Sequence, residues 1–258
     1  MQYDAISFDI SDNIAVLTLN RPERKNALNS KMRTEITDAI AEAARSARVL
    51  VLTGAGDAFC SGQDLADAGN PADLDLEKTL REEYEPMLAA LTQCAVPTIA
   101  AVNGAAAGAG ANLALGADVV IARESAVFLQ AFTRIGLIPD AGGTYWLPRQ
   151  MGLAKAMGAA LFAEPITGRQ AADWGMIWEA VPDDAFDDHW HARAAQLAKG
   201  PTESYRGVKE TLRASFGNDL GTQLALEAEV QGRMGRTHDF REGVMAFLQK
   251  RPANYEGR

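Results

Sequence analysis

The sequence predicts an α/β or mixed layered core followed by a helical C-terminal region. Short β-rich runs alternate with helix-periodic stretches up to about residue 185, and the periodic stretches beyond it are helical. With 258 residues and 47% hydrophobic content, the chain can fill a substantial core.

Residues 14–20 and 48–53 read as strands. Between them Met32, Ile36, Ile40 and Ala43 recur at helical spacing behind Asn29 and Ser30, which can cap a helix. A second helix is expected over 76–93, on the spacing Leu76, Leu80, Tyr84, Leu88 and Leu91. Strand-like runs follow at 98–102 and 118–122. The weakly polar stretch around them is broken by Asn103, Asn112, Asp118 and several glycines, so it reads as buried core rather than a membrane span. A helix is expected over 142–150. The C-terminal region divides into helices near 186–199, 202–215, 220–236 and 239–249. Residues 1–185 are therefore expected to form the core with the site, and 186–258 the helical region. The segment 67–75, with Gly69, Asn70 and Pro71, reads as a mobile surface loop.

A net charge of −9 and a pI near 4.9 argue against nucleic acid as a partner. The first residues carry no basic stretch ahead of an apolar one, so the expected location is cytoplasmic. Cys60 and Cys94 form no CxxC pair, and no metal site is expected; both read as reduced thiols. His189 and His191 lie on a polar helix face, and no Ser-His-Asp set can be built from them and His238.

Two small-residue segments follow strands: Phe59-Cys-Ser-Gly-Gln-Asp-Leu65, and Asn103-Gly-Ala-Ala-Ala-Gly-Ala-Gly-Ala-Asn-Leu113. Such segments let backbone N–H groups approach a ligand, and the N–H groups of a helix start carry partial positive charge. Neither is a dinucleotide fingerprint, because the third glycine is replaced by Phe59 after Gly54 and Gly56 and by Leu113 after Gly108 and Gly110. Asp140, in Gly136-Leu-Ile-Pro-Asp140-Ala-Gly-Gly143, is the only acid between Ser125 and Ala163. Set among apolar residues, it can be desolvated into a usable proton carrier. Its position ahead of a helix equally suits an N-cap, and the two roles can coexist.

The segments together resemble the crotonase superfamily of enoyl-CoA hydratases and isomerases. Asn20-Arg-Pro-Glu-Arg-Lys-Asn-Ala-Leu28, residues 59–65 and 103–113, Ile138-Pro-Asp-Ala-Gly-Gly-Thr144 and Arg241-Glu-Gly-Val-Met-Ala-Phe-Leu-Gln-Lys-Arg251 fall in that family's order and span nearly the whole chain. The resemblance implies repeated ββα units in a spiral core, a C-terminal helical trimerisation region, and assembly as a homotrimer or dimer of trimers. It also implies an acyl-CoA thioester as substrate, with coenzyme A as part of it and no separate cofactor. Gln63 and Ala109 match the two positions whose backbone N–H groups form the family's oxyanion hole, an arrangement that tolerates Gln and Ala side chains. Arg24, Lys25, Ala27, Asp64 and Leu65 match CoA-contacting segments. Phe247 and Lys250 match a helix that reaches a neighbouring subunit's ligand.

Hydratases of the family carry two glutamates, and the matching positions here hold Asn112 and Phe132. Neither can act as a general base, which leaves Asp140 as the acid for a proton shuttle. Asn112 could hydrogen-bond substrate or satisfy backbone; Phe132 could wall a cyclic acyl group or simply fill core. Residues 136–149, with Ala156-Met-Gly158 and Trp174-Gly-Met-Ile-Trp178, look closest to the ring-1,2-epoxyphenylacetyl-CoA isomerases. That resemblance implies opening of the epoxide to an oxepin-CoA, a 3,4-to-2,3 double-bond shift, or both. The rivals are an isomerase or hydratase-like enzyme acting on linear acyl-CoA and a non-catalytic acyl-CoA-binding scaffold.

Overall fold

The computed structural model describes residues 3–65 and 75–258. The expected loop at 67–75 lies outside them except for Asp75, whose carboxylate accepts the Lys78 N–H at 3.0 Å and caps the next helix.

The chain opens with an antiparallel hairpin, β1 (Ile6–Ser11) and β2 (Ile14–Leu19). Its two-residue turn has Asp12 and Asn13 both at positive φ, as a turn matched to strand twist requires. Helix α1 (Ser30–Ser46) starts where expected: Asn29 accepts the Met32 N–H at 2.8 Å. Three strand–strand–helix units follow. The first is β3 (Val49–Gly54), β4 (Ala58–Cys60) and a helix made of α2 (Leu76–Thr79), a π turn (Leu80–Tyr84) and α3 (Glu85–Thr92). Next come β5 (Thr98–Val102), β6 (Ala105–Ala107) and α4 (Ala109–Leu115). The third has β7 (Val119–Arg123), β8 (Val127–Leu129), a 3-10 turn (Ala131–Ile135) and α5 (Gly143–Met151). Then α6 (Leu153–Phe162), β9 (Ile166–Thr167), α7 (Gly168–Asp173) and β10 (Glu179–Val181) lead to α8 (Phe186–Ala198), α9 (Thr202–Ala214), α10 (Leu220–Met234) and α11 (His238–Gln249).

The first strand of each unit enters a sheet ordered β1-β2-β3-β5-β7-β10, parallel apart from β1; the second enters a smaller sheet ordered β4-β6-β8-β9. Each unit thus advances one strand in both sheets, which is the ββα spiral. Central strands of the larger sheet are buried on both faces, so they read as continuous apolar runs. Leu50 and Leu52 of β3 face the core with Leu17, Met32 and Ile36, while Val49 and Val51 face Ile99, Ile121 and the α8 residues Phe186 and Trp190.

Helix α9 is tied to this core by charge. Asp118 pairs with Lys209 and Arg213, each at 2.7 Å, and accepts the Thr98 N–H and hydroxyl at 2.9 Å. Lys209 also donates to the carbonyls of Cys94 and Val96. Removing Asp118 strands two cations, one of them nearly buried. Asp118→Ala is expected to cost about 3 kcal/mol in urea unfolding.

Candidate active site

Two backbone segments converge at the edge of the smaller sheet. Beyond β4, Gln63 forms an isolated parallel bridge with Leu28. The bridge uses the Leu28 N–H, donated to Gly62 O at 2.7 Å, and the Asp64 N–H, donated to Leu28 O at 3.1 Å. The N–H of Gln63 itself takes no part in it. Opposite lies the start of α4, where Ala109 is the first helical residue and its N–H has no acceptor within the helix. The segments touch: a Cβ built on Gly62 would lie 3.4 Å from Ala109 N. Gly108 supplies the turn before α4 with φ 52° and ψ −127°, a conformation open to glycine. Gly110 allows the helix to sit on β4, since a Cβ there would lie 2.6 Å from Cys60 Sγ. Burial pushes the Cys60 thiol up to about 12, so it packs as an apolar side chain and is not a nucleophile.

Asp140 stands ahead of α5 on a strained turn. Ala141 has φ 47° and Gly142 φ 83°, so a left-handed alanine follows the carboxylate directly. The turn is held through the Asp140 carbonyl, which accepts the Gly143 N–H at 2.8 Å and Asn112 Nδ2 at 2.7 Å. The capping role is not observed: Gly142 is the N-cap of α5 and no side chain caps it. Instead Asp140 Oδ1 is buried with no hydrogen-bond partner. Burial raises the carboxyl from its ordinary value to about 6, against a smaller opposing effect of its own backbone N–H.

Asn112 is fully buried, and both ends of its amide are engaged: Nδ2 donates to the Asp140 carbonyl and Oδ1 accepts from Gln130 Nε2 at 2.9 Å. Of the two roles read from the sequence, the structure shows the backbone one, and Asn112 is not among the described residues lining the cavity beside Asp140. Its role is to tie the strained turn to α4. Asn112→Ala leaves the Gln130 amide and one lone pair of the Asp140 carbonyl without a partner. It is expected to lower stability by about 2 kcal/mol in denaturant unfolding and turnover by roughly tenfold.

Gln63, Ala109 and Asp140 all line one cavity of about 270 Å³. Among its described lining residues Asp140 is the only carboxylate. Phe132, Leu80 and Leu137 supply apolar wall, and Tyr84 a buried phenol. Three larger hollows, of about 940, 620 and 480 Å³, have none of Gln63, Ala109 and Asp140 among their described lining residues. Among the described residues no group of three His, Cys, Asp or Glu is placed to hold a metal ion.

The expected CoA-contacting residues of the first segments gather beside this cavity. Arg24 and Lys25 occupy a turn locked by the buried Asn26, whose Nδ2 donates to the carbonyls of Ala55 and Ala58. Lys25 pairs with Asp57 at 2.6 Å and is exposed. Arg21, which the sequence motif contains without a role assigned to it, pairs with Asp64 at 2.8 Å and donates to the Ala27 carbonyl. Leu65 lines the cavity itself. Phe247 and Lys250 are not brought to it within one chain: Phe247 is 83% exposed on α11 and lines the hollow of about 940 Å³, and Lys250 ends that helix.

Sequence reasoning also missed Arg33, Tyr84 and Gln130. Tyr84 falls on the apolar spacing of Leu76, Leu80 and Leu88, and nothing local marks the use of its hydroxyl. Arg33 carried a signal, since it falls on the face of α1 shared by Met32, Ile36 and Ile40, where a charge needs buried partners.

Comparison with known proteins agrees with this architecture. The model of the enoyl-CoA hydratase/isomerase family matches residues 9–258. A Rhodobacter capsulatus protein named "Probable enoyl-CoA hydratase" is 61% identical over 258 residues, covering 100% of both chains. The 1,2-epoxyphenylacetyl-CoA isomerase of Escherichia coli is 44% identical over 255 residues, covering 96% of this chain and 97% of its own. The crystal structure of an enoyl-CoA hydratase from Polaromonas sp. JS666 superposes with a TM-score of 0.93 at 30% identity, covering 98% of this chain and 100% of that one. Relatives named for hydratase and for isomerase activity match nearly the full length of the chain, which belongs to the enoyl-CoA hydratase/isomerase family.

Proposed function

We propose that the protein is an acyl-CoA isomerase in which Asp140 is the proton carrier. The observation that supports this most is the solitary carboxylate of Asp140, with its Oδ1 buried and without a hydrogen-bond partner, in a cavity also lined by Gln63 and Ala109. Removing a proton next to a thioester, or one vinylogously placed, moves negative charge onto the carbonyl oxygen. Two fixed N–H donors stabilise that charge, each worth about 3 kcal/mol where one has been removed from other enzymes. With its pKa raised to about 6, Asp140 is ionised at neutral pH yet basic enough to take a proton from one carbon and return it to another. This chemistry asks for no redox or metal group. Coenzyme A enters as part of the substrate.

The preferred substrate in this reading is 2-(1,2-epoxy-1,2-dihydrophenyl)acetyl-CoA, converted to oxepin-CoA, with a 3,4-to-2,3 double-bond shift as a related activity. Likeness to the epoxyphenylacetyl-CoA isomerase and the Phe132 wall support it. Hydration is the less favoured reading despite the name of the 61% identical relative. It calls for a water held between two acids, whereas Asn112 is committed to the Asp140 turn and Phe132 is apolar. Turnover of the epoxide, of a linear 3-enoyl-CoA and of a linear 2-enoyl-CoA should separate the readings. Isomerisation of the epoxide is expected to exceed hydration of the 2-enoyl-CoA by about 1,000-fold, within the range one acid–base group supplies. Comparable or faster hydration would overturn the proposal.

Assembly as a homotrimer or dimer of trimers belongs to the same reading. Phe240, Phe247 and Leu248 are 52%, 83% and 69% exposed on α11, and so much apolar surface calls for a cover. No helix among the described residues is long and apolar enough to cross a membrane.

A further inference from the structure

The side chain of Gln63 is not idle, as a purely backbone role would leave it. Its Oε1 accepts from the Tyr84 hydroxyl and from Arg33 Nη1 at 3.1 Å. Arg33 is 3% exposed and brings three elements together. Its Nε and Nη2 donate to Glu83 Oε2 at 2.9 and 2.7 Å, while Nη1 also donates to the Leu28 carbonyl at 2.7 Å. The guanidinium lies 4.8 Å from the centre of the Tyr84 ring. Glu83 and Tyr84 are the last two residues of the π turn between α2 and α3. In a regular helix adjacent side chains diverge by about 100°. Here both contact one guanidinium, and a π turn of this kind often marks a functional site.

The Gln63 peptide is therefore held from two sides, by the Leu28 bridge along the backbone and by the Arg33–Tyr84 clamp on the side chain. We propose that Tyr84 and Arg33 are positioning residues that fix the direction of the Gln63 N–H toward the thioester oxygen. The inference rests on the isomerase reading above. Although Tyr84 lines the cavity, its hydroxyl is committed to Gln63, so loss of the clamp acts on the alignment of a donor whose bond strengthens as charge develops. The effect belongs in kcat, with KM little changed.

Tyr84→Phe removes one hydroxyl and keeps the ring under Arg33; Gln63→Met removes the acceptor and keeps the backbone. Each is expected to lower kcat about tenfold, the scale of one hydrogen bond, with KM within about twofold; a buried group left without its partner lowers the melting temperature modestly, and both variants stay folded at the assay temperature. The double variant is expected to be no slower than the slower single one, since both remove the same clamp. Wild-type kcat in Tyr84→Phe, or fully additive losses, would overturn the clamp. Asp140→Asn assayed alongside separates the two ideas. If it is inactive while Tyr84→Phe is normal, only the clamp fails; if it turns over normally, the isomerase reading fails.

Discussion

Replacing Asp140 by Asn is expected to lower isomerase turnover by about 1,000-fold while acyl-CoA still binds, because the amide keeps the size and polarity of the carboxyl but cannot accept the proton. Wild-type kcat/KM should fall with decreasing pH through about 6, the value to which burial raises the carboxyl. Stability has the opposite sign. A carboxyl raised in the folded state binds its proton more tightly there than in the unfolded chain, so ionising it destabilises the fold as pH rises from the ordinary carboxylate value through about 6. Asp140→Asn should therefore melt higher than wild type at pH 8, with the difference gone below about pH 4. Scanning calorimetry at the two pH values checks the sign.

Gly110→Ala is expected to be the most damaging small substitution near the site. Its Cβ would lie 2.6 Å from Cys60 Sγ and 2.7 Å from Cys60 Cβ, with the Cys60 carbonyl closer still. A backbone oxygen cannot rotate away, so α4 must lift from β4. That movement carries Ala109, and with it one of the two amides, away from Gln63. A stability loss of about 3 kcal/mol and a fall in kcat of about 100-fold are expected, the latter on the scale of one lost oxyanion donor. Cys60→Ala in the same chain vacates the sulfur but leaves the carbonyl in place, so it should restore only part of the loss. Full rescue would show that the side chain alone creates the conflict.

Much of the fold was legible because long elements carry a long pattern. Helix α1 showed both its apolar spacing and its Asn29 cap, and α8 to α11 begin and end within two residues of expectation. The strands of the smaller sheet were not visible. Ala58–Cys60, Ala105–Ala107 and Val127–Leu129 are three residues each, too short for any period to appear. Their pairing is long-range, and composition says nothing about it.

At the site, Asp140 stood out because its surroundings lack other acids. Gln63 and Ala109 emerged from the motif resemblance, and the structure brings both to the cavity that holds Asp140. What remained hidden is the scaffolding: Asn112 bonding a carbonyl and Arg33 holding Gln63. These contacts span 28 and 30 residues of sequence, and the same polar residue types serve caps, surfaces and ligands alike. The expected N-cap at Asp140 followed sound local logic, but the left-handed Ala141 and Gly142 turn the carboxylate away from the helix start.

The central claim is that one carboxylate, facing two backbone amides, moves the proton. Its most direct measurement is the rate of deuterium incorporation from heavy water at the carbon next to the thioester of a bound acyl-CoA, followed against pD for the wild type and Asp140→Asn. The wild type should exchange with a rate that rises through about 6 on the pH scale and then levels, and Asp140→Asn should bind the acyl-CoA yet exchange about 1,000-fold more slowly. Exchange by Asp140→Asn at the wild-type rate would contradict the account.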